Sequence, residues 1–467
     1  MSNMKVKRLT WMMACLLCGT TLMAQEVSTE QAASEGTTQT VRPQQWTLQS
    51  CIDYALQQNI TIRRNRLSAA SSEIDVKTAK ADFLPSITGS LSGSLRNSPW
   101  AQSSMSFTGE GISTTSNKTS YSSNASVNLN WTLFNGRRLN TLKQNEVNAE
   151  ISDLNVEESE NSIIQSITQM YIQILYSAEA VKVNEANLEL SRANLERGQQ
   201  MFEAGSISKV DLAQLQTQVS QDEYTLVNVE AQLIDYKLQL KQLLEIEGDE
   251  EMDIYMPELS DENVLILLPE KNDVYMTALA NRPEILSAQK NIDAADLNIK
   301  IQKAGYLPSL SMSASAGTNA MSGINTGLGT QVKRNESNNV SLNLSIPIFD
   351  KRQTKSNIEK AKIQKNQQEL ALQDAQKTLY RNIENLWQNA NTAQKQYVAA
   401  SANLESSQTS YEMTQEQFNL GMKNTIELLQ ERNNLLSAQQ QKLQAKYTAI
   451  MNEQLLNFYA GENITLD

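Results

Sequence analysis

The sequence predicts a mixed α/β membrane protein in which long coiled-coil α-helical hairpins are combined with four short transmembrane β-strands. An export signal at the N-terminus, four segments that alternate apolar and polar residues, and two long proline-free segments with heptad spacing predict this fold class. The chain also repeats itself once, with a period of about 220 residues. We therefore expect two copies of one unit, each made of strands and a hairpin.

The first 24 residues have the pattern of a secretory signal peptide. Cations precede an apolar run at 9–23, and the small residue Ala24 stands at the expected cleavage point. The cations are Lys5, Lys7 and Arg8. Their removal would change the formal net charge from −12 to −15, and such an acidic surface argues against nucleic-acid binding. Residues 25–45 are rich in Thr, Ser and Gln and should form a flexible N-terminal segment.

The cysteine and histidine content excludes several classes of chemistry. Cleavage would leave Cys51 as the only cysteine, so no intrachain disulfide can form. Lipidation of Cys15 or Cys18 is an alternative to simple cleavage, although neither lies in a convincing lipobox. The chain has no histidine, which rules out histidine-dependent catalytic triads and histidine-ligated zinc. We expect no enzymatic activity, no metal site and no cofactor.

Each half opens with a helical segment, at about 48–81 and 273–304, and the second segment should break at Pro283. Both segments run into a Leu-Pro pair, at 84–85 and 307–308. Proline disfavours helical geometry in the residue before it and has no N–H to donate. We therefore expect both helices to end there.

Two amphipathic strands follow in each half, separated by loops rich in Ser and Asn at about 97–121 and 317–338. The apolar positions are Ile87, Leu91 and Leu95; Ala125, Val127, Leu129, Trp131 and Leu133; Leu310, Met312, Ala314 and Ala316; and Val340, Leu342, Leu344, Ile346 and Ile348. Their polar neighbours are mostly Ser, Thr and Asn. Strands of about 10 residues with small polar partners suit a membrane wall around a wet lumen. A soluble β-sandwich would show the same alternation.

Aromatic residues gather at the helix-side ends of these strands, where they should form an interfacial girdle. They are Phe83, Trp131, Phe134, Tyr306 and Phe349. After the signal peptide, no stretch approaches the roughly 20 apolar residues of a spanning helix. In lipid, a sheet of four strands would leave unpaired edges at prohibitive cost, so other subunits must complete the barrel.

The proline-free segments 137–247 and 351–460 carry the heptads of two coiled-coil hairpins. The heptad positions are Ile167, Ile174, Val181, Leu188, Leu195, Leu212, Val219, Leu226, Leu233 and Leu240 in the first, and Ile383, Ala390, Tyr397, Leu404, Tyr411 and Phe418 in the second. We divide the chain into a first repeat at 46–247, an acidic connector at 248–272, a second repeat at 273–460 and a tail at 461–467. The connector should be partly irregular and pack outside the helices.

The order of these motifs resembles that of the TolC family of outer-membrane efflux proteins over about 45–460. Helix, Leu-Pro, strand, loop, strand, Phe-Asn/Asp and a hairpin with a Phe-x-x-Gly tip occur twice, with the tips at 202–205 and 418–421. The resemblance implies a homotrimer with a twelve-stranded β-barrel in the outer membrane and an α-helical barrel in the periplasm. It also implies a passive exit duct in a tripartite efflux or type I secretion system, which docks a periplasmic adaptor protein and works with an inner-membrane pump.

The same resemblance assigns roles to residues at the hairpin tips. It implies adaptor docking at Gly205, Ser208, Gly421 and Asn424, although a structural role in the helix reversal suffices for both glycines. It implies a periplasmic entrance gate at Asp211, Lys423, Glu427 and Gln430. In that gate Glu427 matches an acidic pore position, Gln430 replaces a second acid of the best-known member, and Lys423 with Asp211 would form a weak latch. Phe418 stands where the family has a tyrosine hydroxyl.

Two functions from other classes are left open by the residues. A surface-anchored structural or adhesive coiled coil would explain the heptads, but it predicts strands beside one terminus instead of strands in both halves. A periplasmic hydrolase would need a nucleophile with a base, and no such motif is present in the sequence. The chain also has no phosphate-binding loop, so energy for transport would come from the pump. The sequence does not identify the cargo.

Overall fold

The helices and strands follow one another in the predicted order. The computed structural model describes residues 45–97, 104–108, 111–115, 119–247, 252–257, 259–260, 262–322 and 326–466. The described residues from Trp46 onward form one compact unit. The predicted signal peptide, 1–24, and all of the predicted flexible segment except Gln45 lie outside the described residues.

The described part of the chain contains long helices and one main antiparallel sheet. The helices are α1 (Leu48–Gln58), α2 (Ile60–Ala81), α3 (Arg138–Glu203), α4 (Lys209–Leu243), α5 (Lys271–Asn281), α6 (Pro283–Lys303), α7 (Leu328–Arg334), α8 (Gln353–Asn419) and α9 (Thr425–Tyr459). The strands are β1 (Ser86–Asn97), β2 (Ser104–Thr108), β3 (Gly111–Thr115), β4 (Thr119–Asn135), β5 (Ser309–Met321) and β6 (Ser337–Ser345).

The opening helix of each half is broken in two. In the second half the break falls before Pro283, which becomes the first residue of α6, as the sequence predicts. The first half was expected to form one helix over 48–81, but Asn59 interrupts it. The side chain of Asn59 accepts hydrogen bonds from the N–H groups of Thr61 (2.9 Å) and Ile62 (3.4 Å) and so caps α2. Asn59 thus begins a new helix in the first half, as Pro283 does in the second half.

The main sheet has the strand order β1-β4-β5-β6, and all three pairings are antiparallel. The start of β1, the end of β4, the start of β5 and the end of β6 lie at the same end of the sheet, since Ser86 pairs with Asn130 and Ser309 pairs with Asn135 and Ser345. All four helix–strand junctions therefore lie on one side. The opposite edges of the sheet, β1 and β6, have no partner strand among the described residues.

The predicted loops between the strands contain regular structure, which is a correction. The segment 97–121 includes the two-stranded ladder of β2 and β3, and β4 already begins at Thr119. In the segment 317–338, β5 continues to Met321 and α7 follows. The last strand is shorter than predicted, because β6 ends at Ser345 and leaves Ile346 and Ile348 outside it. Pro347 between them has no N–H for a ladder.

The coiled-coil hairpins are confirmed. Helices α3 and α8 have 66 and 67 residues, so each extends about 100 Å at 1.5 Å per residue. Every predicted heptad position is buried or half-buried. Helix α3 packs on α4, and α8 packs on α9. No helix among the described residues combines the length and the apolar character needed to cross a membrane.

The largest hydrophobic core lies where α1 and the connector meet the middle of α3 and the end of α9. Trp46 and Ile254 form an isolated parallel bridge, and Tyr171 of α3 donates a hydrogen bond to the carbonyl oxygen of Tyr255 (2.6 Å). Val264 of the connector is also buried in this core. The connector is largely irregular, but its described residues help to form the core and do not simply cover the outside of the helices.

Candidate functional site

The first hairpin reverses at Gly205, where backbone hydrogen bonds close the end of α3. The N–H of Gly205 donates to the carbonyl oxygen of Phe202 (2.9 Å), and the N–H of Ser206 donates to that of Met201 (2.8 Å). This pair of bonds needs a left-handed residue, and Gly205 has φ +74°. Glycine adopts this conformation without strain, so the reversal itself explains its presence at this position.

The next two predicted residues, Ser208 and Asp211, cap α4. The hydroxyl of Ser208 accepts from the N–H of Asp211 (3.2 Å), and the carboxylate of Asp211 accepts from the N–H of Ser208 (3.0 Å). The hydrogen bond from the Ser208 side chain is the main reason why the pKa of Asp211 is lowered, and backbone N–H donation adds to it. Asp211 is thus held as an anion at the positive end of a helix.

The second tip repeats this geometry with different side chains. Gly421 has φ +72°, and the N–H groups of Gly421 and Met422 donate to the carbonyl oxygens of Phe418 (2.9 Å) and Gln417 (2.8 Å). Asn424 then caps α9 by accepting from the N–H of Glu427 (2.9 Å). Six of the eight predicted site residues therefore hold the turns together. They are Gly205, Ser208, Asp211, Gly421, Asn424 and Glu427.

The two tips lie side by side around a small apolar cluster. Met201, Phe418 and Leu428 are buried in it, together with Tyr411 and Leu435. Phe418 is 1% exposed, so a tyrosine at this position would have to bury its hydroxyl, whereas the phenylalanine ring has no polar group to satisfy. The tips therefore form one surface.

The predicted latch between Lys423 and Asp211 is not formed within the protomer. The ammonium of Lys423 lies 2.5 Å from the carboxylate of Glu427, one helical turn further on, while Asp211 is occupied by its capping bonds to Ser208. Lys423 and Glu427 lie one turn apart in the same hairpin, so their ion pair does not depend on how the two hairpins pack together. A link from Lys423 to another copy of the chain stays a prediction.

Glu427 and Gln430, the two predicted pore positions, both lie on the first turns of α9. Glu427 is 41% exposed at its side chain, and one of its oxygens accepts from the amide of Asn424 (3.0 Å). Gln430 is exposed and donates to Asn434 (3.2 Å). The protomer therefore presents one carboxylate here, and Lys423 partly neutralises it.

A buried polar layer that the sequence did not predict lies deeper in the hairpins. Arg432 of α9 is fully buried, and its Nη2 donates to Oδ2 of Asp222 on α4 at 2.5 Å. The hydroxyl of Ser191 on α3 also donates to this carboxylate, and Gln218 donates to its other oxygen (3.0 Å). Arg432 reaches the carbonyl oxygen of Asn187 as well (3.3 Å). The layer thus joins both hairpins.

A neighbouring set of bonds brings in α8, the remaining long helix. Asn194 of α3 donates to the hydroxyl of Tyr411 (3.0 Å) and accepts from Gln415 (3.1 Å). Burial raises the pKa of Tyr411, although the bond from Asn194 acts in the opposite direction. All four long helices are therefore tied together by side chains near the tips. Polar residues at core positions of the heptads, such as Asp222 three residues after Val219, were the signal that could have revealed this layer.

Replacing Gly421 by alanine is expected to loosen the second tip by about 1–2 kcal/mol, the cost of a left-handed β-carbon. Apart from Gly421 and its two chain neighbours, no atom of the described residues lies within 4 Å of the place where the new β-carbon would stand, so the strain comes from the local backbone. Hydrogen exchange of the amides in 417–425 should become faster. Gly421→Asn is the matched control and should show a smaller effect, because asparagine tolerates this conformation better. Equal exchange in Gly421→Ala and the unchanged chain would show that the turn does not depend on the glycine.

Comparison with known proteins gives a consistent set of likenesses. The family model described as outer membrane efflux protein matches residues 51–245 and 274–462. The chain is 22% identical to the outer membrane efflux protein BepC of Brucella suis biovar 1 over 443 residues, which cover 94% of this chain and 87% of BepC. It is 23% identical to the outer membrane protein TolC of Salmonella enteritidis over 356 residues, 74% of this chain and 70% of TolC. The solved structure of CusC resembles it with a TM-score of 0.74 at 18% identity, covering 88% of this chain and 91% of CusC.

Proposed function

The chain belongs to the outer membrane efflux protein family, and we propose that three copies of it form the exit duct of a tripartite efflux system. Members of this family are channels of the outer membrane. This chain is accordingly an outer-membrane efflux channel component that extends into the periplasm. Trimer formation, adaptor docking and coupling to an inner-membrane pump are the parts of the function that we propose.

The observation that carries the proposal is the incomplete sheet. Strands β1 and β6 are its outer members, and the apolar side chains of β1 are more than 60% exposed at Ile87, Leu91 and Leu95. An apolar face with two open edges is stable in lipid only if other strands pair with those edges. Pairing β1 of one copy with β6 of the next continues the antiparallel ladder, and three copies supply twelve strands.

The helices carry unpartnered apolar stripes that support the same assembly. On α4, the side chains opposite the hairpin contact are exposed by 52–67% and recur at heptad spacing. They are Tyr224, Val227, Ile234 and Leu238. Two further stripes with a spacing of seven residues lie on α2, at Ile60, Leu67 and Ile74, and on α8, at Ile363 and Leu370. Such seams are typical of helices that pack against another copy in a coiled coil.

The polar face of the sheet suits a water-filled passage without chemistry. Ser90 bonds Ser126 (2.7 Å), Ser94 bonds Ser122 (2.7 Å) and Ser313 bonds Ser341 (2.6 Å) across neighbouring strands. These paired hydroxyls are neutral, so they favour neither sign of charge. At the tips, Glu427 would favour cations. Cargo would pass unchanged, with energy supplied by the pump.

The joined tips are the surface that we propose for the adaptor. Both turns are exposed and rigidly capped, and they lie next to each other because they share the cluster around Phe418. A capped turn holds its exposed side chains in place before the partner arrives, which lowers the ordering cost of binding. We therefore propose that Gly205, Ser208, Gly421 and Asn424 form the docking surface, and that Asp211, Lys423, Glu427 and Gln430 surround the entrance.

The proposal is tested by photo-crosslinking in intact cells of the source organism. A crosslinking amino acid at Lys209 or Met422, which are exposed at the tips, should capture an adaptor protein, identified by mass spectrometry, while the same probe at Glu230 on the flank of α4 serves as the control. Detergent extracts should contain a trimer. Capture of the adaptor from Glu230 but not from the tips would contradict the docking site. A chain that stays a water-soluble monomer without detergent would contradict the channel.

A further inference from the structure

The four helix–strand junctions carry an unusual concentration of positive charge. We call the segments 77–85, 134–143, 300–308 and 349–355 the junction belt. They contain ten Lys or Arg residues and two acids, Asp82 and Asp350, whereas the whole chain has a net charge of −12. The cations are Lys77, Lys80, Arg137, Arg138, Lys143, Lys300, Lys303, Lys351, Arg352 and Lys355. The belt is thus a basic zone on an acidic protein.

These cations lie at one level of the molecule. The register of the sheet brings all four junctions to the same end, and both halves of the repeat contribute. The rings expected to mark a membrane interface lie at the same end, and Arg138 joins the two features directly. Its guanidinium lies 5.6 Å from the ring centre of Phe83 and donates to the carbonyl oxygen of Thr132 at 2.5 Å.

Most of the belt has no counter-charge inside the protein. Lys80 pairs with Glu146 (3.8 Å) and Arg352 with Glu359 (3.4 Å), and within the described ranges the other eight cations form no ion pair. Nine of the ten are exposed and Arg138 is half-buried. Unpaired cations would be expected to find partners on so acidic a chain. These exposed cations are therefore available to an anionic ligand from outside the chain.

The belt also contains an electrostatic conflict that an anion would relieve. Helix α3 begins beside a pair of cations, Arg137 and Arg138, with no acid in its first turn and no cap bond from its N-cap side chain. At the start of α8, Asp350 accepts from the N–H of Thr354 (2.7 Å) and offsets only part of the charge of Lys351 and Arg352. The N-terminus of a helix carries partial positive charge, so cations there are unfavourable. A phosphate group would interact favourably with both the cations and the helix end.

We propose that the junction belt binds anionic phospholipid headgroups of the periplasmic leaflet of the outer membrane. The inference rests on the proposed placement of the sheet in that membrane. The apolar faces of the strands would contact the acyl chains, the aromatic rings would lie at the interface, and the belt would lie at the depth of the phosphates. Basic clusters beside a membrane segment bind acidic lipids in this manner, with each cation near the surface adding to the affinity. The belt would thereby fix the height of the channel in the bilayer.

The experiment uses the full-length chain reconstituted into vesicles of phosphatidylethanolamine with and without phosphatidylglycerol. Lipids retained by the re-extracted channel are measured by native mass spectrometry. Phosphatidylglycerol should be enriched over its share in the vesicle. A fourfold variant replaces by glutamine four lysines of the belt that are exposed and unpaired in the structure, namely Lys143, Lys300, Lys303 and Lys355. This variant should show about tenfold less enrichment of phosphatidylglycerol.

The matched control removes four cations from the hairpins instead, by Lys182→Gln, Lys237→Gln, Lys377→Gln and Lys395→Gln, and should retain the enrichment. Trimer content and channel conductance are recorded for each sample. A conducting trimer without preference for phosphatidylglycerol, or one whose preference is lost equally in both variants, would overturn the lipid site while leaving the channel intact. Absence of a trimer from the unchanged chain would instead contradict the proposed function.

Discussion

Asp222→Ala is expected to destabilise the tip end of the helical hairpins by about 3–5 kcal/mol, because it leaves a buried arginine without its counter-charge. Arg432 is 0% exposed, and Asp222 is its one ion-pair partner among the described residues. The substitution also removes the acceptor for Ser191 and Gln218. Hydrogen exchange should accelerate in the last turns of α3 and the first turns of α9. If the layer also holds the entrance closed, conductance in planar bilayers should rise.

The adjacent residue supplies the matched control. Glu223 of α4 pairs with Arg192 of α3 at 2.7 Å, but both side chains are about half exposed. Glu223→Ala should therefore cost about 0–1 kcal/mol, the usual value for a surface pair. The double variant Asp222→Leu with Arg432→Leu should recover much of the loss, because replacing both partners by apolar groups removes the unpaired charge. Similar destabilisation by Asp222→Ala and Glu223→Ala would show that the layer does not hold the hairpins together.

The heptad spacing of apolar residues predicted the helical part of the fold, because residues at that spacing share one face of a helix and that face is buried. The heptads of α3 and α8 lie in the hairpin contact, and the alternation in β4 and β5 marks two faces of one sheet. Local capping was harder to foresee. Asn59 ends one helix and starts the next through two side-chain bonds, which no apolar pattern reveals. The sequence also showed Pro347, whose effect on the end of β6 follows from its missing N–H.

The tip residues show the limit of assigning roles by position. The family resemblance suggested a latch between Lys423 and Asp211, yet each residue has a nearer partner in the protomer. Conversely, the sequence does not single out Asp222 and Arg432, because a charged residue in a heptad usually faces solvent. Their contact joins residues 210 positions apart. Only the packing of one hairpin against the other brings them together, and the repeat does not encode that packing.

The second large effect is expected in the β-sheet, where one face of β1 should contact lipid and the other should contact water. Leu91 and Ser92 are neighbours near the middle of β1 and point to opposite faces. A cation on the lipid face at mid-membrane costs about 2–4 kcal/mol, whereas a lumen position tolerates it. Leu91→Arg is therefore expected to prevent most molecules from inserting into the membrane. In a trimer the free-energy cost would apply to each of the three copies.

The measurement compares Leu91→Arg with Ser92→Arg, which adds the same side chain one residue further along the strand. Outer-membrane fractions are separated on gels without boiling, so that assembled trimer and monomer are distinguished. Ser92→Arg should assemble nearly as the unchanged chain does, because its guanidinium would extend into water. Leu91→Arg should be found mainly as unassembled or degraded chain. Both variants add one arginine to the same strand, so a difference in assembly reports which face of β1 carries the charge. Equal assembly of the two variants would mean that the apolar face does not contact lipid.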